Sequence, residues 1–253
     1  MARRRGRQSR YKGRGRGRFS GLYAFLSVVI IAVAIVVGCI VFFKVQHVEV
    51  SGNSRYTQEE VVAVTGIQVE DNLFRLNKFK IYDQLIAQLP YIETVNIRRR
   101  MPDTILINVT ETAPVAALNS TGVWWLMNEN GKLLERVDGP GAYLQITGLT
   151  LLSPSLGTII AVDQEQRLQK ESLLELMAAL MGRDMLGGAQ SIDLSDPSRL
   201  TMEYDHRLEV RIALADDFEY KARQLEGVLA QLEEGEGGIL DMTIEERPHL
   251  YRE

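Results

Sequence analysis

The sequence predicts an α+β protein with one membrane-spanning helix near its N-terminus and two domains after it. Residues 21–43 form an uninterrupted apolar segment, and residues 44–112 show the order strand, helix, helix, strand, strand. Residues 113–245 then combine further strands with two helical segments, which predicts a mixed, β-rich second domain. Charge divides the 253-residue chain in the same way: nine of its 29 Lys and Arg residues precede the apolar segment, whereas all 33 Asp and Glu residues follow it.

The apolar segment, GLYAFLSVVIIAVAIVVGCIVFF, runs from Gly21 to Phe43 without a charged residue. A helix of this length reaches about 34 Å, enough for a hydrocarbon core of roughly 30 Å. A helix this long and apolar on every side is atypical of a soluble domain. The positive charges before it predict a cytoplasmic N-terminus. We therefore expect a single membrane anchor bounded by Gly21 and Phe43, with residues 44–253 outside the cytoplasm.

Two processing alternatives remain open for this segment. A cleaved signal peptide would have a shorter apolar region and a small-residue cleavage site, which the residues near Phe43 lack. The stretch VVGC at Val36–Cys39 loosely resembles a lipoprotein signal, but the apolar residues that follow Cys39 argue against cleavage and lipidation there. Because Cys39 is the only cysteine, no disulfide can form within the chain.

The basic N-terminal tail, residues 1–20, has two interpretations. Its GRGRGR stretch, Gly13–Arg18, resembles arginine–glycine segments that bind RNA, and it would attract any polyanion. The favoured interpretation is a topology signal that also contacts anionic membrane lipid. We therefore expect no specific nucleic-acid partner.

The first outer domain, residues 44–112, begins without a spacer after the apolar segment. Alternating valines in VQHVEV predict a strand, and TQEEVVAV opens with a capping-box pattern formed by Thr57 and Glu60. KFKIYDQLIAQLP repeats its apolar residues at helical spacing and ends at a proline. IETVNIRRR and TILINVTET are typical of two strands joined by a turn at MPD.

The second domain is predicted to span residues 113–245. NENG, between GVWWLM and KLLERV, indicates a hairpin. Apolar spacing after Asp163 and after Asp217 predicts two helices. SIDL, RLTMEY and LEVRIAL alternate as strands, and a glycine-rich stretch precedes a final strand at Ile239–Ile244. We expect residues 246–253 to form a C-terminal tail.

No pattern of catalytic, cofactor-binding or metal-binding residues is found in the sequence. The three histidines, His47, His206 and His249, have no partner at metal-ligand spacing. G-x-S-x-G, P-loop and H-E-x-x-H motifs do not occur. An S-x-x-K pattern at Ser9–Lys12 lies in the basic tail and is attributed to chance. The sequence therefore predicts a protein that is not an enzyme and that uses no cofactor or metal.

The order of elements in the first domain resembles a POTRA domain, and the whole arrangement is similar to the FtsQ/DivIB family of bacterial cell-division proteins. The resemblance rests on VQHVEVSGN, LPYIETVNIRRRMPDTILINVTETAPVAAL and IDLSDPSRLTMEY, in this order behind a basic tail and one span. It implies a non-enzymatic scaffold in the cell membrane at the division septum. The implied partners are bitopic division proteins of the FtsB/DivIC and FtsL type and, through them, septal peptidoglycan synthases. The Gram-positive and Gram-negative branches both remain open.

The resemblance also implies where the partner binds. In this family the C-terminal part of the β domain holds the main partner site, and the partner adds a strand there. An edge strand suits this role because its unpaired N–H and C=O groups can bond to a partner strand. In the other interpretation, Leu240, Met242 and Ile244 merely face the core. By position, the implied site falls on Met242, Thr243, Ile244, Glu245 and Tyr251.

Two other functions remain open. A single-span POTRA protein could act in envelope protein assembly or secretion, although the sequence has too few amphipathic strands for a C-terminal β-barrel. The other possibility is an envelope enzyme with an unfamiliar site. A scaffold role accounts for the missing spacer between Phe43 and Lys44, because a short tether would hold a binding surface at a fixed height above the bilayer.

Overall fold

The computed structural model describes residues 20–233, 235–244 and 249–251. One long helix precedes two sheet-containing domains, so the predicted α+β class is confirmed. The helices are α1 (Ser20–Phe42), α2 (Gln58–Thr65), α3 (Lys78–Gln88), α4 (Arg167–Gly182) and α5 (Phe218–Leu229). The strands are β1 (His47–Ser51), β2 (Ile92–Arg100), β3 (Thr104–Glu111), β4 (Ala116–Ser120), β5 (Val123–Met127), β6 (Leu133–Val137), β7 (Leu144–Thr147), β8 (Ala189–Asp193), β9 (Arg199–Tyr204), β10 (Leu208–Ala213), β11 (Gly238–Asp241) and β12 (His249–Tyr251).

Helix α1 exposes large apolar side chains along its length. Among the described residues it is the one helix long and apolar enough to cross a membrane, over Gly21–Phe42. Gly21 lies in its first turn, and Phe43 follows its last residue. Because such a surface is unfavourable in water, α1 requires a hydrocarbon environment. The chain therefore fits a single-pass membrane protein, as predicted.

The first domain packs α2 and α3 against a three-stranded sheet. The strand order is β1-β3-β2, with β1 parallel and β2 antiparallel to β3. Thr57 and Glu60 make both bonds of the predicted capping box, and Gly66 ends α2 in the left-handed conformation. The predicted order of elements is therefore confirmed. The core consists of Val45, Val61, Leu73, Ile81, Leu85, Leu89, Ile92, Ile105, Ile107 and Val109.

The second domain is a nine-stranded mixed sheet that shares one core with α4 and α5. Its strand order is β12-β11-β10-β9-β8-β7-β4-β5-β6. Asp217 caps α5 as predicted, since its side chain accepts the N–H of Tyr220 at 2.9 Å. Asp163 differs from the prediction: it precedes a short 3-10 turn and makes no side-chain cap. The helix expected after Asp163 begins only at Arg167.

The C-terminal region differs from the sequence-based expectation in two ways. The predicted final strand, Ile239–Ile244, ends at Asp241, because Thr243 turns back and bonds to the Asp241 side chain. In the segment predicted to be a tail, residues 249–251 form β12, which pairs antiparallel with β11. Within the described residues, the sheet therefore ends at β12 and not at β11.

The two edges of the nine-stranded sheet lie in different surroundings. At one edge, the loop before β6 meets the first domain, where Lys132 Nζ donates to the carbonyl of Ile92 at 2.6 Å. The other edge is β12. Eight inter-strand spacings separate the two edges, which is about 38 Å at the usual distance between strands. The free edge is therefore remote from the first domain along the sheet.

Candidate partner-binding edge

Strand β12 is short and forms the exposed edge of the sheet. Leu250 packs partly against the core of the second domain, whereas His249 and Tyr251 are exposed on either side of it. Tyr251 keeps 60% of its surface accessible. Such an edge presents unpaired backbone groups together with side chains that a partner strand could contact.

The hydrogen bonds of β11 decide which backbone groups of β12 are free. Gly238 N–H donates to the carbonyl of Arg207 at 3.0 Å. Met242 N–H donates to the carbonyl of Arg211 at 2.8 Å. Because alternate backbone groups of a strand point to opposite sides, Leu240 between them also directs its N–H and C=O towards β10.

The remaining groups of β11 therefore face β12. Ile239 is paired with Tyr251, and Asp241 is paired with His249. In an antiparallel ladder these pairs exchange backbone bonds, and the pair between them does not. Leu250 is therefore left with its N–H and C=O directed to the free edge. An incoming strand would bond to Leu250 first.

A buried lysine holds the chain where β11 ends. Lys221 of α5 is 1% exposed, and its Nζ donates to the carbonyl of Met242 at 2.7 Å. The same ammonium lies 3.2 Å from Asp216 Oδ2. A buried charge of this kind is tolerated only while its partners compensate it. Lys221 therefore fixes the position of Met242 at the end of β11.

The turn after β11 depends on the side chain of Asp241. Its Oδ1 accepts the Oγ–H of Thr243 at 2.6 Å and the N–H of Thr243 at 2.9 Å. These bonds hold the pKa of Asp241 below its usual value, and the bond from the Thr243 hydroxyl has the largest effect. The positive charges of Arg211 and Arg199 lower this pKa as well. Because its N–H is already bonded, Thr243 does not offer a free donor to a partner strand.

The structure separates the residues of the predicted partner site. Met242 is fully buried, and Thr243 is half-buried. Ile244 is 58% exposed, so the interpretation that it only faces the core does not hold, although it does hold for Leu240 and Met242. Tyr251 is exposed on β12. Glu245 lies outside the described residues.

Three residues that shape this edge were not singled out from the sequence: Lys221, Asp241 and Leu250. One signal was available for Lys221, which lies three residues after Phe218 and four before Leu225 and therefore shares the apolar face of α5. Asp241 two residues before Thr243 is a common turn pattern. Leu250 has no such signal, because its free groups follow from the register of β11 and β12.

His47, His206 and Cys39 belong to no metal-binding cluster among the described residues. His47 and His206 are exposed, with Asp103 and Glu203 at 3.8 and 3.7 Å respectively. Cys39 is half-buried in α1. Within the described part of the chain, no group of three or more His, Cys, Asp or Glu side chains could hold a metal ion.

The end of α1 is fastened to the first domain. Asn72 Nδ2 donates to the carbonyls of Cys39 and Ile40 at 3.1 and 3.2 Å. The rings of Phe43 and Phe74 meet edge to face, with centroids 5.1 Å apart. The Cys39 carbonyl also accepts the N–H of Phe43 at 3.4 Å. Because the last carbonyls of a helix have few partners within the helix, the bonds from Asn72 help to satisfy its C-terminus. The anchor and the first domain are thus in direct contact.

The two outer domains are also joined by polar contacts. Tyr91 donates its hydroxyl to Glu135 of β6 at 2.7 Å. The guanidinium of Arg55 lies 3.8 Å from the centre of the Tyr91 ring and 3.1 Å from Glu135. Burial, together with the bond to Glu135, raises the pKa of Tyr91. Tyr91 therefore remains a neutral hydroxyl donor in this contact.

Comparison with known proteins covers most of the chain. Residues 43–112 match the POTRA domain of FtsQ type. The cell division protein DivIB of Clostridium acetobutylicum is 29% identical over 210 residues, which cover 82% of both chains. The cell division protein FtsQ of Syntrophotalea carbinolica is 26% identical over 217 residues, covering 80% of this chain and 72% of the relative.

The similar solved structures include the major extracytoplasmic domain of the trans isomer of the bacterial cell division protein DivIB from Geobacillus stearothermophilus. It is 17% identical, with a TM-score of 0.32, and the match covers 50% of this chain and 98% of the other. The similarity to cell-division proteins is judged from the POTRA match and from the two relatives, and not from this structure. The chain thus contains a POTRA domain of FtsQ type and is similar, along four fifths of its length, to the bacterial cell-division proteins DivIB and FtsQ.

Proposed function

We propose that this chain is a non-enzymatic scaffold of the cell-division machinery at the septum. It recruits other bitopic division proteins and links them to septal peptidoglycan synthesis. The names of its relatives, cell division proteins DivIB and FtsQ, support the division role. The observation that carries the scaffold role is the free edge strand β12, on a domain whose neighbour is fastened to a membrane span.

The proposed partner is a division protein of the FtsB/DivIC type, which adds a strand to β12, together with a protein of the FtsL type. Leu250 supplies the outward backbone groups, and exposed Ile244 and Tyr251 supply side chains that select the partner. In this proposal Met242 and Thr243 shape the site from within. Glu245 remains a proposed contact on the basis of the family resemblance.

The direct contact between α1 and the first domain supports the proposed use of the short tether. A partner with its own span is confined to the same bilayer. Holding the binding surface at a constant height therefore raises the effective concentration of the two sites for each other.

The site is tested by removing one backbone donor. Leu250→Pro deletes the outward N–H, and an edge strand tolerates proline where that group faces solvent. Losing one interfacial hydrogen bond should weaken partner binding by about tenfold. Binding is measured by co-purification from membranes and by titration of the purified bitopic partner. Leu250→Ala, which keeps the N–H, is the control for the lost side chain.

A second variant distinguishes the two sides of β12. Tyr251→Pro removes an N–H that faces β11, so it should detach β12 from the sheet. The site is refuted if Leu250→Pro binds like Leu250→Ala and deletion of residues 245–253 also leaves binding unchanged. Recovery of outer-membrane assembly proteins in place of bitopic division proteins would contradict the division role itself.

A further inference from the structure

We propose that the end of the first domain nearest α1 is a lipid-binding surface, which rests on the anionic headgroups of the bilayer that α1 spans. We call it the membrane-proximal surface and define it by residues 43–47, 70–80 and 97–103. Four features carry this inference: the position of the surface relative to the span, its exposed apolar side chains, its basic charge and its continuity with the anchor.

The segment formed by residues 70–80 lies at the level of the C-terminal end of α1. Asn72 bonds to the carbonyls of Cys39 and Ile40, which precede the last residue of α1, Phe42, by three and two positions. At 1.5 Å per residue, Asn72 therefore reaches roughly 3–5 Å back along the span. A loop at this depth meets the headgroup layer of any bilayer that α1 crosses.

The turn between β2 and β3 lies at the same end of the domain. The carbonyl of Asp103 accepts the N–H groups of Gln46 and His47 at 2.9 and 3.3 Å. Residues 101–103 are therefore next to the chain that leaves the span. Two separate loops thus face the bilayer together.

Exposed apolar side chains lie on this surface. Phe79 is 83% exposed, Met101 62% and Phe74 45%. Phe79 lies in the first turn of α3, and it points away from the core because Ile81 and Leu85 occupy the opposite face. The other end of α3 contacts the second domain, where Gly157 lies against the carbonyl of Ile86. The first turn of α3 is therefore its membrane-proximal end, where an apolar ring such as that of Phe79 can enter the boundary between headgroups and acyl chains.

The charge of the surface fits anionic lipid. Seven of the ten charged residues in the three segments are basic, although residues 44–253 as a whole hold 33 acidic and only 20 basic residues. Arg75, Lys80 and Arg98 are exposed. Each cation near an anionic surface strengthens attraction by roughly fivefold at equilibrium. Among the acids, Glu70 is paired with Lys44 at 3.5 Å.

The bilayer is the occupant that the structure favours. The surface is continuous with α1, so lipid is present beside it irrespective of any protein partner. A soluble protein partner would have to displace headgroups to reach Phe74 and Phe79. The basic charge of the surface is complementary to anionic headgroups. The proposed partner-binding strand β12 lies elsewhere, at the far edge of the sheet in the second domain.

The experiment uses the full chain in nanodiscs. Cys39 is replaced by alanine, which keeps the backbone carbonyl that Asn72 binds, and a single cysteine is placed at Phe79 and labelled with an environment-sensitive fluorophore. Quenching by spin-labelled lipid is measured in pure phosphatidylcholine and in a mixture with phosphatidylglycerol. Val41 in the span and Tyr220 on α5, which is 44% exposed, carry the label in two reference variants.

We expect lipid to quench the residue-79 label at least about twofold more than the residue-220 label, with a larger difference in the anionic bilayer. Adding Arg75→Glu and Lys80→Glu should abolish that increase. Arg136→Glu with Arg223→Glu makes the same change in net charge on exposed residues of the second domain, and it should have no effect. Thermal unfolding of each variant checks that the fold is retained.

The proposal is overturned if the residue-79 label is no better quenched than the residue-220 label while the residue-41 label is quenched. It is also overturned if the residue-79 label stays in water in lipid nanodiscs and is shielded only in native membranes, because a protein would then cover the surface. If the two charge-reversal pairs have equal effects, Arg75 and Lys80 are not the cations that bind anionic lipid. None of these outcomes depends on whether β12 binds a partner.

Discussion

At the residue scale, the C-terminal edge depends on one buried charge. Lys221→Met removes the ammonium that bonds Met242 and leaves Asp216, whose side chain is 18% exposed, without its partner. We expect the free energy of unfolding to fall by about 3–5 kcal/mol, as measured by urea denaturation of the full chain in detergent. Arg223→Met changes an exposed cation on the same helix and should cost less than about 0.5 kcal/mol. Similar losses in both variants would contradict this role for Lys221.

Asp241 gives the edge a dependence on pH. Its folded-state pKa is lowered, chiefly by the Thr243 hydroxyl, relative to an unfolded value of about 3.9. Its ionised form therefore adds stability that is present above about pH 4 and is lost as the pH falls through the folded-state pKa. Thr243→Val removes the main cause, so its melting temperature should fall less than the wild type on acidification. Thr110→Val, on the exposed side of β3, should leave the wild-type pH profile unchanged.

At the scale of elements, the joint between β2 and β6 decides whether the two domains act as one unit. Lys132→Met would leave the carbonyl of Ile92 buried without a donor, at a cost of about 1–3 kcal/mol. Burial lowers the pKa of Lys132, and Glu93 opposes this shift. We expect faster hydrogen exchange around Ile92 in the variant, measured by mass spectrometry. Arg136→Met, on the exposed face of β6, is the control. Equally fast exchange around Ile92 in the control would show that the Lys132 bond does not hold the two domains together.

At the scale of the whole molecule, the contact between α1 and the first domain should be required for partner recruitment. A Gly/Ser linker of about 20 residues between Phe43 and Lys44 spans roughly 25 Å and would separate the anchor from Asn72. We expect co-purification of bitopic partners to fall and division to be impaired. The same linker inserted in the exposed turn at 138–141 is the control. Normal division and normal complex formation with the first linker would contradict the proposed fixed height.

The sequence by itself determined the features that depend on near neighbours. The apolar run from Gly21 to Phe43 is continuous in the sequence, and the capping box of Thr57 and Glu60 and the cap at Asp217 each act within one helical turn. Their residue types therefore predict the anchor and two further helices, α2 and α5. The order of elements in the first domain follows in the same way, because short strands and helices alternate with clear turn signals.

Only the tertiary structure decided the features that join distant parts of the chain. The order of nine strands, the pairing of Leu240 with Leu250 and the bond from Lys221 to Met242 depend on which segments meet in space. Alternating apolar residues predict that a strand is present, but they do not name its neighbour or its register. The free backbone groups of Leu250 and the contact of Asn72 with α1 therefore appear only after the sheet has been assembled and the first domain has folded against its anchor.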